Sequence, residues 1–499
     1  MLFEKKLPLS DSRLWRIQNA RRLSSWAYTT TSLASDTSIP LSSSTTVTDK
    51  TTNKSNSSEL LDVFVDTQYD MQQLESLASQ RPTPLRLADM YEYGRGIDPA
   101  QRLRNSQFLH RELPIRVAQR AYDLLTLPHG LSNATPIRQV AATYIQYLQQ
   151  FKSRPCPQNK PQEEEFTDFV QSLVLDRAAV PISIFRGILA WMGSAPHSDD
   201  DRQDQTSSLS SLEEQPDRLQ EMEDALYRFF TARVGLRFLT VHHVLSSRRP
   251  SAKALKDVTF LFPPDQSDDF LGCIQTNCDL VKEVNKVAKL IHEQTMEYYG
   301  ICPEIEVVDC IEDTDQAKDG KSKNKTRDFT YVPHHLHYMI CELLKNSCRA
   351  TVQQFRAQEM HTQGPYGHDS AKIPSIKVVM VKGEEDVTIK VADKGGGIPR
   401  SKMERIWKFA HSTADQNEAE SDFGTDATSG ARIRGFGLPL ARIYARYFGG
   451  ELTLKSTEGY GLDAYLHLPR LGDACEKLPH LVKSSPGELD SMPNRYVKN

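Results

Sequence analysis

The sequence predicts an α plus α/β protein: a bundle of four helices followed by an α/β sandwich. Two observations carry this. From about Pro84 to Ser246 apolar residues recur at helical spacing, and past Lys256 short β-branched runs alternate with helical stretches. With 499 residues the chain is too long for one core, so two or three domains plus unstructured sequence are expected.

The N-terminus comes first. Residues 1–35 carry Lys5, Lys6, Arg13, Arg16, Arg21 and Arg22 against only Glu4 and Asp11, and no acid lies between Arg13 and Ser35. Arginines interleaved with Leu14, Trp15, Ile17, Leu23 and Trp26 form a basic amphipathic pattern, the signature of a mitochondrial transit peptide. Residues 36–83 are expected to be a disordered linker, because 36–58 are almost all Ser, Thr, Asn, Asp and Lys.

Residues 84–255 are assigned to the bundle. Pro114 can begin a helix that buries Ile115, Ala118 and Leu125. A second stripe runs Ile137, Val140, Ala141, Tyr144, Ile145 and Leu148, and a third runs Phe166, Phe169, Val170 and Leu173. A fourth helix, from near Leu219, carries Met222, Leu226, Phe229 and Phe230. Amphipathic helices of this kind bury their faces against one another. The polar stretch 194–215 is expected to be a flexible insertion.

Residues 256–472 are assigned to the sandwich, with 473–499 as a tail. Residues 304–308, 375–381 and 387–391 predict strands, the last two joined as a hairpin by Lys382 to Asp386. A long helix is expected from Pro333 to about Gln358, and another after Gly437.

Composition narrows the function. A formal charge of -4 gives no basic excess for a nucleic acid, and no run reaches the roughly 18 apolar residues of a membrane span. Eight cysteines without a CxxC pair suggest a reducing compartment and neither a disulfide framework nor a zinc site.

Three elements suggest chemistry. On the helix after Pro333, Glu342, Asn346 and Arg349 stand at i, i+4 and i+7 on one face, with Lys345 beside them and Leu336, Ile340, Leu343 and Ser347 on the opposite, apolar face. Asparagine is a poor helix former but can offer its carbonyl oxygen to Mg²⁺. Asp393-Lys394-Gly395-Gly396-Gly397 directly follows a strand, and its glycines allow close backbone approach to a ligand. Gly435-Phe436-Gly437-Leu438-Pro439 opens a helix whose free N–H groups suit phosphate.

With these motifs the chain resembles the mitochondrial α-ketoacid dehydrogenase kinases, the family of pyruvate dehydrogenase kinase and branched-chain ketoacid dehydrogenase kinase, from about Pro84 to Leu471. The most specific stretches are Tyr331-Val332-Pro333 through Asn346 to Thr351, the Asp393 loop, Ser412-Thr413-Ala414, and Gly435 to Pro439. Phe108-Leu109 with Glu112-Leu113-Pro114, and Arg228 to Val234, match in the bundle, which sensor kinases and Hsp90-type ATPases lack.

The resemblance implies a GHKL (Bergerat-type) ATP-binding domain and a protein-serine kinase of the mitochondrial matrix that uses ATP and Mg²⁺. The implied target is the decarboxylase component of an α-ketoacid dehydrogenase complex, pyruvate dehydrogenase before the branched-chain enzyme. Docking to a lipoyl domain and a homodimer are implied as well. Glu342 would be the general base, Asn346 the Mg²⁺ ligand, and Lys345 and Arg349 neighbours of the phosphates. Asp393 would accept from the adenine amino group, with Gly395 and Gly397 leaving room for the base. Gly435, Phe436, Gly437 and Leu438 would close on the nucleotide together with a lid from about Ala410 that carries Ser412 and Thr413.

The chain departs from the family at Ile433-Arg434, where animal members continue a glycine run, and at Leu462, where the family has threonine. It also has Asp176-Arg177-Ala178 in place of His-Asn-Asp, and its tail lacks an Asp-Trp pair. Two other readings use the same residues: a histidine kinase with His110 as acceptor, and a nucleotide-sensing scaffold that transfers nothing.

Overall fold

The computed structural model describes residues 71–95, 98–176, 180–193, 216–246, 270–276, 278–310, 329–362, 372–409, 435–470, 472 and 474–478. The expectations for 1–35 and for 194–215 lie outside these residues. The helical part comprises α1 (Met71–Ala78), α2 (Leu87–Arg95), α3 (Pro99–Leu125), α4 (Thr135–Ser153), α5 (Lys160–Asp176), α6 (Val180–Gly193) and α7 (Pro216–Leu245).

Four long helices, α3, α4, α5 and α7, bury most of the predicted stripes, but Ile115, Leu125 and Ile145 are only half-buried, and Leu113 and Val117 take the core side of α3 instead. Leu113, Val117 and Ala118 meet Ile137, Val140 and Tyr144, Phe166 and Val170, and Leu226, Phe229 and Phe230, all at most 6% exposed. A buried Leu or Phe side chain contributes about 1.5–3 kcal/mol, so this core dominates the bundle's stability.

Two expectations need correction. Pro114 does not begin a helix but lies inside α3, which starts at Pro99 behind the Asp98 cap, whose side chain accepts from the Ala100 N–H at 3.2 Å. An internal proline costs about 3 kcal/mol. The helix continues through it because α3 packs on α1, α4 and α7 along its length, with Leu109, Leu113 and Val117 at most 1% exposed. Nor is all of 36–83 a linker: α1 buries Leu74 and Ala78, and the Gln119 side chain donates to the Gln80 carbonyl at 2.9 Å.

A short hairpin, β1 (Phe270–Leu271) with β2 (Ile274–Gln275), precedes α8 (Leu280–Tyr299). Then follow β3 (Ile305–Asp309), α9 (Pro333–Thr362), β4 (Ile376–Lys382), β5 (Asp386–Ala392), α10 (Gly437–Tyr447), β6 (Glu451–Thr457) and β7 (Gly461–Pro469). The sheet order is β3-β4-β5-β7-β6, parallel between β3 and β4 and antiparallel elsewhere. The parallel pair requires a crossover, and α9 lies in it.

Val378, Met380, Val387, Ile389, Val391, Ala464, Leu466 and Leu468 are buried at period two, which gives the sheet one apolar face. The helix α9 packs against α8, α10 and β5. It thereby hangs its polar residues above the end of β5.

Bundle and sandwich meet through aromatic rings. Phe436, just before α10, lies 5.8 Å from Phe185 of α6 and 5.6 Å from Phe230 of α7, and Phe409 stacks on Phe230 at 5.0 Å. The tail adds an ionic tie: buried Glu476 accepts from Arg116 of α3 and from the Tyr447 hydroxyl of α10.

Candidate active site

The site is built where α9, the end of β5 and the start of α10 converge. On α9, Glu342 and Lys345 are 8% exposed and ion-paired, whereas Asn346 is exposed and Arg349 half-buried. One turn of helix thus joins a buried carboxylate to an amide open to a ligand. Glu342 is covered because Gly437 opens α10 directly above it: a Cβ on Gly437 would overlap Glu342 Oε2. The carboxylate therefore faces a helix N-terminus, where unsatisfied N–H groups favour negative charge.

Asp393 sits just past β5 and is 5% exposed. Its Oδ1 accepts from the N–H groups of Gly395 at 3.0 Å and Leu462 at 3.3 Å, and its Oδ2 accepts from the Ser347 hydroxyl at 2.8 Å. Burial pushes the Asp393 carboxyl above the usual range, and these three hydrogen bonds pull it partly back.

Two glycines of this loop approach other parts of the protein closely. A Cβ on Gly395 would meet Ala350 and come within 3.0 Å of the Thr351 nitrogen, both on α9. Gly397 has φ +69, and a Cβ there would overlap the Thr457 carbonyl of β6. The loop is pinned to the β6–β7 turn by Gly459 N–H on the Gly396 carbonyl at 2.8 Å and to β6 itself by Ile398 N–H on Ser456 Oγ at 2.6 Å. Gly395 and Gly397 thus seat the loop on α9 and β6.

At the third element, Gly435 has φ +76, a left-handed turn that only glycine adopts cheaply, and Gly437 and Leu438 start α10. Phe436 is 1% exposed among Phe185, Phe230 and Phe409, so its side chain fastens the helix start to the bundle instead of facing the opening. Ser412 and Thr413 lie outside the described residues.

Two residues escaped the sequence reading. Ser347 was placed with the apolar face of α9, yet its hydroxyl binds Asp393; the only signal was a hydroxyl in a stripe of Leu and Ile. Glu223 of α7, 7% exposed, accepts from the Phe409 N–H at 2.8 Å, and burial holds its carboxyl up at about 8. Its signal was an acid directly beside Met222 of the apolar stripe, between the exposed Glu221 and Asp224. His110 is half-buried, with Nε2 3.0 Å from the Arg154 carbonyl.

Sequence comparison agrees with this fold. Residues 84–275 match the family described as mitochondrial branched-chain alpha-ketoacid dehydrogenase kinase, and residues 331–472 match the histidine kinase-, DNA gyrase B- and HSP90-like ATPases. The chain is 33% identical over 405 residues to a mitochondrial [pyruvate dehydrogenase (acetyl-transferring)] kinase of Arabidopsis thaliana, covering 80% of this chain and 93% of that one. It is 29% identical to the corresponding kinase of Drosophila melanogaster, covering 83% and 88%. Isozyme 3 of Mus musculus is 30% identical, covering 83% and 87%. An ATP-binding sandwich of this class, carried behind this bundle and shared along most of the length of these relatives, means that the chain belongs to the mitochondrial α-ketoacid dehydrogenase kinase family and is a protein-serine kinase of that type.

Proposed function

We propose that the chain phosphorylates a serine of the decarboxylase component of the mitochondrial pyruvate dehydrogenase complex and so switches that enzyme off. The observation that carries the proposal is the buried Glu342–Lys345 pair under the start of α10, one helical turn from the exposed Asn346. Phosphoryl transfer demands little covalent work, so orientation of hydroxyl and nucleotide is the main task. Glu342 would accept the serine proton, and Lys345 would hold its carboxylate in place. Arg349 would lie by the phosphates, Asp393 would receive the adenine amino group, and the N–H groups of Gly435, Gly437 and Leu438 would face the phosphates. Ser412 and Thr413 would approach them from the lid.

Asn346 suits Mg²⁺, which keeps several waters and takes one or two protein oxygens beside those of the phosphates. A single exposed amide one helical turn from Glu342 fits that donor set. When bound, the ion would neutralise charge on the phosphates.

The same reading places the protein in the mitochondrial matrix behind a leader in residues 1–35, docked on a lipoyl domain and paired as a homodimer. A second target is favoured by one observation: residues 84–275 match the branched-chain kinase description. Incubation with both purified complexes and labelled ATP decides. Label on a serine of the pyruvate dehydrogenase decarboxylase, with loss of its activity, is expected. Label confined to the branched-chain decarboxylase overturns the choice of target, and no label on either overturns catalysis in favour of a scaffold.

A further inference from the structure

Asp393 has two oxygens in different surroundings. Oδ1 is held by two backbone donors, Gly395 N–H and Leu462 N–H, whereas Oδ2 has one side-chain donor, the Ser347 hydroxyl at 2.8 Å. Ser347 is 5% exposed and sits on α9 directly after Asn346. The strand β7 offers no side-chain help. Leu462 shares the period-two register of buried Ala464, Leu466 and Leu468, so it lies on the helix side beside Asp393, but it is apolar.

The terminal torsion of an aspartate is broad, and a donor on Oδ2 narrows the rotation that the two backbone donors on Oδ1 leave open. We propose that Ser347 is the residue that orients the Asp393 carboxylate toward a purine 6-amino group, and thereby sets the preference of this site for adenine nucleotides. The inference rests on the reading of Asp393 as the adenine acceptor. A hydroxyl donor also favours the ionised carboxylate, whose two oxygens both accept; a protonated Asp393 would turn one oxygen into a donor. Because Ser347 adjoins Asn346, one turn of α9 would serve the base end of the nucleotide through Asp393 and the phosphate end directly. Ser347 is a positioning residue: it acts through Asp393.

The test compares binding of Mg²⁺-ATP with that of purine riboside triphosphate, which lacks the 6-amino group, by calorimetry on the full chain. Ser347→Ala should lose about tenfold in affinity for ATP, the scale of one hydrogen bond to a charged group, and nothing for the analogue. Adding Leu462→Thr, which returns a hydroxyl on the same side of Asp393, should recover part of that loss. An unchanged ATP-to-analogue ratio in Ser347→Ala overturns the inference. If that variant does not fold, Ser347→Cys, a weaker donor of similar size, should show a smaller fall in the ratio in the same direction, and an unchanged ratio there overturns the inference. The underlying reading fails separately: Asp393→Ala, which removes the acceptor altogether, with the ratio intact means that Asp393 does not receive the amino group at all.

Discussion

The carboxylate of Glu342 on α9 lies directly against Gly437, the first residue of α10, closely enough that no side chain fits between them. The helix proposed to carry the base and the helix proposed to face the phosphates are thus in contact through one acidic group and one missing Cβ. Gly437→Ala should keep the fold, because alanine suits a helix start and the clash is with the end of a flexible side chain. It should displace the Glu342 carboxylate. The expected result is a transfer rate lowered about 10- to 100-fold, the effect of misplacing a catalytic group by about 1 Å, with a melting temperature within a few degrees of the parent. A full rate would mean that this contact is not needed for catalysis.

Glu342→Gln keeps the shape and loses the basicity. General-base catalysis contributes about 10²- to 10⁴-fold, so single-turnover transfer should fall at least roughly 100-fold while nucleotide affinity holds. Transfer within about threefold of the parent would show that Glu342 is not the base.

Asn346→Ala removes an exposed amide and touches none of the buried stripe of α9. Calorimetric titration should show loss of the Mg²⁺-dependent part of ATP binding, with the unfolding transition unchanged. Parental affinity with Mg²⁺ would remove Asn346 from the metal's coordination.

Glu223 makes stability pH-dependent. Its carboxyl is raised from 4.5 to about 8, mainly by burial, against the hydrogen bond from the Phe409 N–H. Between those values the folded state holds a proton that the unfolded state has released, so this group lowers stability as pH rises from about 4.5 to 8. Glu223→Gln can still accept from Phe409 but cannot ionise. Its melting temperature should therefore exceed the parent's above pH 8 and decline less across that window. Parallel melting curves would show that Glu223 ionises normally.

The acid-free segment from Arg13 to Ser35 should carry a reporter into mitochondria and be removed there. Fusing residues 1–58 to a fluorescent protein and fractionating cells tests this; a full-length reporter left in the cytosol rejects it.

Much of the architecture was legible because it rests on local rules. Helical stripes such as Ile137, Val140 and Tyr144 must find an apolar partner, and β-branched runs with a polar hairpin between them must pair. The elements of the site were legible for the same reason: Glu342 and Asn346 share a face by helix geometry, and an aspartate followed by three glycines after a strand marks a turn under constraint. Pro114 was misread because a local rule for helix starts was overridden by packing along the whole of α3.

What the tertiary structure alone decided are the contacts between segments distant in sequence. Ser347 reaches Asp393 across 46 positions, and Glu223 reaches Phe409 across 186. Gly395 and Gly397 are glycines because α9 and β6 come too near for a Cβ, and Phe436 is buried because α6 and α7 stand beside α10. Sequence periodicity records which face of a helix or strand turns inward, a property of successive residues. It holds no record of which other segment arrives there, and hydrogen bonds, close approaches and shifted proton affinities depend on that neighbour.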